Sequence, residues 1–355
     1  MDASLWFQNR LIGAADSLFR RVVESLWFQD VLILAAVGFI VWLVVHGSRS
    51  ERWRQAWVRL RRDRSGVAAG VVIGLYLGIG VLEMIQIPRD QFGSISILGW
   101  LTRGVAQETS YSAPWASTSL SITRVEKLRG WHLLGTDALG KDTFVQTLRA
   151  CRTALLIGGI TSAIYVPLGT LFGIFAGYFR GWIDDAIQYF YTVIYSIPEI
   201  LLLISLLLVL GKSVTNMSIA LAITAWVSLC RLIRGETMRQ AERPYVAAAR
   251  ALGQSHWKII TQHLLPNVMH LVLISFVLGF SHLVLAEAIL SYLGVGSPIG
   301  TPSWGSMIDG ARGEFSRDPL VWWNLTSATA ALFGLVLSLN IFGDSLRRAF
   351  DPKRG

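Results

Sequence analysis

Seven stretches of this chain are too apolar and too long for the surface of a soluble domain, and they decide what it can fold into. They are residues 31–45, 66–87, 153–178, 189–210, 217–233, 268–293 and 324–342. A helix needs about 20 apolar residues to cross a bilayer, and the first stretch nearly reaches that with its flanks. Inside lipid every backbone N–H and C=O must be satisfied within the segment, which leaves the helix as the economical solution. The expected fold class is therefore all-α, a polytopic membrane protein of about seven transmembrane helices.

Charge gives the sidedness. The chain carries a formal net charge of +9, which in a soluble protein would suggest nucleic acid. Here the basic residues crowd the ends of apolar stretches instead, so no nucleic-acid partner is expected. Arg49, Arg52, Arg54, Arg59, Arg61, Arg62 and Arg64 follow the first stretch, against Glu51 and Asp63 alone. Arg239, Arg243, Arg250 and Lys258 lie between the fifth and sixth, and Arg347, Arg348, Lys353 and Arg354 follow the seventh. Short basic loops stay on the cytoplasmic side. The expected topology has the N-terminus outside and the C-terminus cytoplasmic.

Ahead of the first span, Ser-Leu-Trp-Phe-Gln occurs at Ser4–Gln8 and again at Ser25–Gln29, around an apolar stripe opposite Arg10, Asp16 and Arg20. An amphipathic helix with Trp and Phe on its apolar face suits a membrane interface. Within the spans, Gly70, Gly74 and Gly78 repeat every four residues, as do Gly169, Gly173 and Gly177. Small residues at that spacing let a neighbouring helix approach closely. Glu199 and Glu287 lie inside apolar stretches, where an ionisable group normally faces protein or a water-filled path. Both are candidates for the translocation pathway; for Glu199 a bond to nearby backbone at a Pro198 kink is the alternative. His270 and His282 are read as satisfied by neighbours. Cys151 and Cys230 indicate neither a disulfide nor a metal site.

Between the fifth and sixth spans lies a loop, 234–266, where Glu242–Asn267 form a polar, small-residue island. Pro244 suits the first turn of a helix, where its missing N–H costs nothing. Tyr245, Ala249 and Leu252 then share one face, and Arg243, Ala247 and Arg250 another. Gly253 stands where a glycine stops a helix. Ser255 is placed to cap a second helix through Trp257, Ile259 and Ile260. A helix, a tight bend and a second helix leading back into the membrane make either a docking knob or a solvated loop.

This island resembles the cytoplasmic loop of the membrane subunits of binding-protein-dependent ABC importers, whose pattern is E-A-A-x3-G-x9-I-x-L-P. Ala248, Ala249, Gly253, Leu265 and Pro266 fit it, while Ala247 stands for its Glu and His263 for its Ile. Residues 131–142, W-H-L-L-G-T-D-A-L-G-K-D, resemble the H-P-L-G-T-D-x-x-G-R-D entry motif of the dipeptide/oligopeptide/nickel branch, with Leu133 and Lys141 departing from it. There Asp137 and Asp142 read as caps of a glycine-punctuated turn. Glu287, Ser291 and Gly294, the 301–307 run T-P-S-W-G-S-M, and the closing G-D-S-L-R-R-A-F-D-P are similar to the same family.

The resemblance implies a six-span permease core with an N-terminal addition: 1–65 as the addition, 66–87 the first core span, 88–150 an external domain, 151–355 the remaining core. It implies that Glu242, Arg243, Tyr245, Ala248, Ala249, Arg250, Leu252 and Gly253 couple to a cytoplasmic ATPase. It further implies a homologous second permease, an extracytoplasmic binding protein, and a bacterial or archaeal inner-membrane location. Peptides are the implied cargo, with nickel and oligosaccharides within the branch's range. The sequence contains no G-x-x-x-x-G-K-[ST] phosphate loop and no Ser/His/Asp or metal-ligand spacing. ATP and Mg are accordingly expected in partner ATPase subunits, with no cofactor, catalytic residue or metal on this chain. An ion-coupled transporter or channel using Glu199 and Glu287 is the alternative from the residues alone, and a structural membrane partner a third.

Overall fold

A computed structural model of the protein describes residues 51–89, 93–120, 126–298 and 300–351. The amphipathic segment 1–28 and the span at 31–45 lie outside them. Helix is the dominant element of the described chain, and the sheet it contains is a two-stranded hairpin. Helix α1 is Glu51–Arg62, α2 Arg64–Met84, and a hairpin pairs β1 (Gln86–Arg89) antiparallel to β2 (Gly93–Ser96) before the short α3 (Ile97–Leu101). Helix α4 runs Thr143–Phe179, α5 Gly181–Tyr195, α6 Glu199–Leu210, α7 Val214–Ala241, α8 Pro244–Ala251 and α9 His256–Ile259. One π-turn, Ile260–Leu264, joins α9 to α10 (Leu265–Tyr292). Helix α11 is Trp304–Gly310, followed by a 3-10 turn at Ala311–Ser316, and α12 is Trp323–Phe350.

Five of these elements are long and apolar enough to cross a membrane: α2, α4, α7, the run His256–Tyr292, and α12. The fourth expected span, the third of the core, is not one helix. It is α5 and α6, which together pass the same test and meet at 85°. Pro198 cannot donate a backbone hydrogen bond, and Ser196 Oγ turns back to the Val193 carbonyl at 2.7 Å. The chain breaks there instead of merely kinking. By contrast, α4 continues through Pro167 and begins at Thr143, ten residues before the apolar stretch. Asp142 caps it by accepting from Val145 N at 2.9 Å.

The two glycine repeats have different outcomes. A Cβ on Gly169, Gly173 or Gly177 would lie 2.9, 2.8 or 2.7 Å from the carbonyl oxygens of Trp226, Cys230 and Arg234 on α7. The seam therefore sets α4 backbone-close against α7, as expected. On α2, Gly70 meets Phe342 of α12, but Gly74 and Gly78 face no atom within 4 Å among the described residues.

With the bent α5–α6 pair taken as one crossing the spans alternate in direction, α4 and α7 running parallel along the glycine seam, so the connections gather at two ends. At one end the α2–α4 and α10–α12 connections are bonded together. Trp323 Nε1 donates to the Thr136 carbonyl at 3.0 Å, Thr143 Oγ1 to Asn324 Oδ1 at 2.5 Å, and Trp304 Nε1 to the Thr147 carbonyl at 3.0 Å. The 131–142 motif builds this end. Asp137 Oδ1 accepts from Leu139 N and Lys141 N at 2.8 and 2.9 Å, in line with its expected capping role. Gly140, at φ +70°, leaves no room for a Cβ beside the Glu108 carbonyl. The other end carries α8 and α9.

Candidate functional site

Two features stand out, an outward knob at one end and a cavity in the bundle. The knob is α8, the bend after it and α9. Arg243 precedes Pro244 in extended backbone and Pro244 opens the helix. The helix stops as its sequence demands. Gln254 N donates to the Ala249 carbonyl at 3.1 Å and Gly253 N to the Arg250 carbonyl at 3.0 Å. That is a Schellman closure, and it needs the left-handed φ of +71° at Gly253. Ser255 then caps α9 through Lys258 N.

The underside of the knob belongs to the main core. Val246, Ala249, Ile259, Ile260 and Leu264 are buried in one apolar cluster with Leu229 and Ile233 of α7 and Ile174 of α4. Of the expected face only Ala249 is buried, together with Val246; Tyr245 is exposed, and so is Leu252. It falls at the helix end and is 81% exposed, beside Trp257 at 63%. Glu242, Arg243, Ala248 and Arg250 also face outward. The knob thus presents two large apolar side chains among charged ones, on a base continuous with the spans.

Polar ties fix its angle. Arg180 Nη2 donates to Glu242 Oε1 at 2.7 Å. Tyr245 OH donates to Gln240 Oε1 at 2.9 Å. His256 Nδ1 lies 2.8 Å from Tyr178 OH, and the Arg250 guanidinium sits 4.9 Å from the centre of the Tyr178 ring. Arg and an aromatic face attract through the ring quadrupole. His263 Nε2 lies 3.1 Å from Gln254 Oε1, bracing the bend against the π-turn. Sequence reasoning missed Tyr178 and His256, which are 78 residues apart; no local pattern joins them.

The cavity has a volume of about 690 Å³ and lies among α4, α5, α6, α7 and α10. Glu199, in the first turn of α6, lines it with His282 of α10. His282 Nε2 is 3.3 Å from Glu199 Oε1, and Thr224 Oγ1 is 3.5 Å from the same oxygen. Glu199 is thus partnered by side chains of other helices, not by neighbouring backbone. Its partner His282 was expected to be satisfied by a neighbour, and this is the neighbour.

Glu287 does not line this cavity. It is 2% exposed. Ser291 Oγ donates to its Oε1 at 2.7 Å and Ser297 Oγ at 3.3 Å. These bonds tie the end of α10 to the turn leading to α11. The two carboxylates grouped by sequence therefore occupy separate environments. Among the described residues no group of three or more His, Cys, Asp or Glu could hold a metal ion. Cys151 and Cys230 are free and buried on different helices.

Residues 169–355 match the family described as binding-protein-dependent transport system inner membrane component. The glutathione transport system permease protein GsiD of Pectobacterium atrosepticum is 30% identical over 301 residues, covering 85% of this chain and 91% of that protein. The dipeptide transport system permease protein DppC of Alkalihalophilus pseudofirmus is 29% identical, over 85% of this chain and 90% of its own length. A chain of the methionine ABC transporter MetNI, solved in an inward-facing conformation, aligns with a TM-score of 0.45 at 17% identity, covering 59% of this chain and 96% of that one.

Proposed function

This chain belongs to the binding-protein-dependent inner membrane components, the permease subunits of ABC importers, and from that premise we propose that its 242–253 knob is the part an ATPase pushes. The knob faces the cytoplasm, in keeping with the basic residues around it, and the C-terminus lies on the same side. Leu252 and Trp257 insert into an apolar groove of a cytoplasmic ATPase, ringed by Glu242, Arg243 and Arg250. Tyr245, Ala248, Ala249 and Gly253 hold that surface in shape. ATP and Mg are bound by the ATPase, and this subunit performs no chemistry of its own.

A homologous second permease completes the pathway, and an extracytoplasmic binding protein delivers solute to the end built from the 131–142 motif. Closure of the ATPases shifts the bundle between two access states, each favoured by different ligands. Short peptides are the cargo, a choice supported by relatives named for glutathione and dipeptide transport. Glu199 lines the pathway. Glu287 braces the end of α10. The ion-coupled alternative needed both carboxylates on one route, and their separate surroundings give it no support.

The observation that carries this proposal is the knob's two-sidedness: an underside continuous with the core and an apolar, exposed tip. Purification in mild detergent tests it. An ATPase and a second permease should co-elute with the wild-type chain, and Leu252→Asp should lose the ATPase while keeping the permease. Retention of the ATPase by that variant would sink the proposal. Thiol labelling of Leu252→Cys from the cytoplasmic side alone would fix the sidedness.

A further inference from the structure

Among the residues that line the cavity, Glu199 is the one carboxylate, His282 the one other titratable group besides tyrosines, and no lysine or arginine appears. Arg231 is nearby but stacks on Tyr195, its guanidinium 3.8 Å from the ring centre, and is not part of the lining. The remaining polar lining is hydroxyl: Thr224, Ser228, Ser275 and the two tyrosines. The rest is apolar, including Ile194, Leu202 and Leu232.

The Glu199 carboxylate is used on one side only. His282 and Thr224 both approach Oε1, and among the described residues Oε2 has no hydrogen-bond donor. An ionised carboxylate accepts on both oxygens, so the second oxygen, in a wall that holds no lysine or arginine and has His282 already engaged on Oε1, is a place for a donor from a ligand. Both side chains remain reachable, with 43% of Glu199 and 59% of His282 exposed. His282 holds Oε1 and leaves Oε2 for another partner. At about 690 Å³ the cavity falls within the range that takes small organic ligands whole.

We propose that this wall is a binding site for a primary ammonium group on a small, partly apolar solute, with Glu199 Oε2 receiving the ammonium and His282 as its positioning residue. The free amino end of a short peptide has this chemistry. The proposal rests on the reading of Glu199 as a pathway residue and adds what Glu199 recognises. Hydrogen bonds between charged groups contribute more than neutral ones, so the site discriminates a free amine from an acylated one by about tenfold or more.

Ligand-observed saturation-transfer NMR on the full chain in lipid nanodiscs tests this with two probes, L-alanyl-L-alanine and its N-acetyl derivative. The free dipeptide should saturate a signal that the acetylated one reaches only at about tenfold higher concentration. Glu199→Gln should bring the first probe down to the second, with an unchanged melting temperature. Equal signals from the two probes in the wild-type chain would overturn the proposal, and that comparison needs no variant to fold. So would a well-folded Glu199→Gln chain that still prefers the free amine. If the ATPase co-elutes while the probes fail to differ, only this inference falls. If the probes differ but no ATPase is found, the importer assembly falls instead.

Discussion

At the knob end, Leu252 and Trp257 stand in the open and polar residues reach across to the end of α4 and to the end of α7. At the opposite end the polar groups are turned inward. His132 is 1% exposed, with Nδ1 2.8 Å from Asp142 Oδ2 and Nε2 3.3 Å from Glu108 Oε1. Glu108 Oε1 also accepts from Arg129 N and Gly130 N at 2.7 and 3.1 Å. Thr136 Oγ1 donates to the Ser110 carbonyl at 2.8 Å and accepts from Ser112 N at 2.7 Å. Glu314 takes both its oxygens to Asn324 Nδ2, at 2.9 and 3.0 Å. One end leaves large apolar side chains uncovered, the surface we propose an ATPase grips. The other spends its polar groups on keeping two long connections in register. Buried networks of this kind give a single shape at the risk of large losses when one member is removed.

That contrast can be broken most forcefully at the closed end. His132→Ala leaves two buried carboxyl groups facing a hole, and breaking a buried charged network costs about 3–5 kcal/mol. A drop in melting temperature of the purified chain should show it, with ATPase retention per folded molecule unchanged. Leu252→Asp should do the reverse. Loss of a central apolar anchor costs an interface about 2 kcal/mol or more, so ATPase retention falls at least about tenfold, while stability shifts by no more than about 0.5 kcal/mol, as for other exposed positions. Gly253→Ala meets no neighbouring atom but must hold φ +71°. It should cost about 1–2 kcal/mol, read as a lower melting temperature with weaker coupling.

Acid distinguishes the ends more gently. The Arg348 guanidinium beside Asp63, at the knob end, holds that carboxyl well below its usual range. A lowered value means stability present above the unfolded value of 3.8 and lost as pH falls further. Burial pushes Glu314 up, against the hydrogen bonds from Asn324. A raised acid favours folding when protonated, so its penalty fades as pH falls from its raised value toward 4.5. Melting temperatures scanned from pH 7 to 4 should therefore show a gain that Glu314→Gln removes. Asp63→Asn should leave that gain intact.

Much of this was legible in the sequence because the signals are local. Apolar length found the spans, and Pro244, Gly253 and Ser255 marked the knob within a few residues. Asp137 and Asp142 announced their turn. What escaped depends on distance or on mixed composition. Arg149 and Arg152 hide the first turns of α4 from any search for apolar runs. The pairing of Glu199 with His282 spans 83 residues, and that of His132 with Glu108 spans 24. The period-four glycines of α2 and α4 look alike on paper, yet only α4 has a backbone pressed along the whole seam. Leu252 matched the helical period but sits at the helix end, where the period no longer decides which way a side chain points. Pro167 and Pro198 also read alike; one lies within a continuous helix and the other marks a right-angled corner.

The three glycines of α4 leave carbonyl oxygens of α7 no more space than a missing methyl group provides. Two rods interlocked so closely cannot slide past one another without collision, and splaying them would forfeit the packing of the whole seam, so they travel as a single beam. The knob's underside is anchored on that beam. If the knob is pushed as we propose, the thrust passes along that beam, and the bending of the proposed cycle falls elsewhere, with the corner between α5 and α6 the natural elbow.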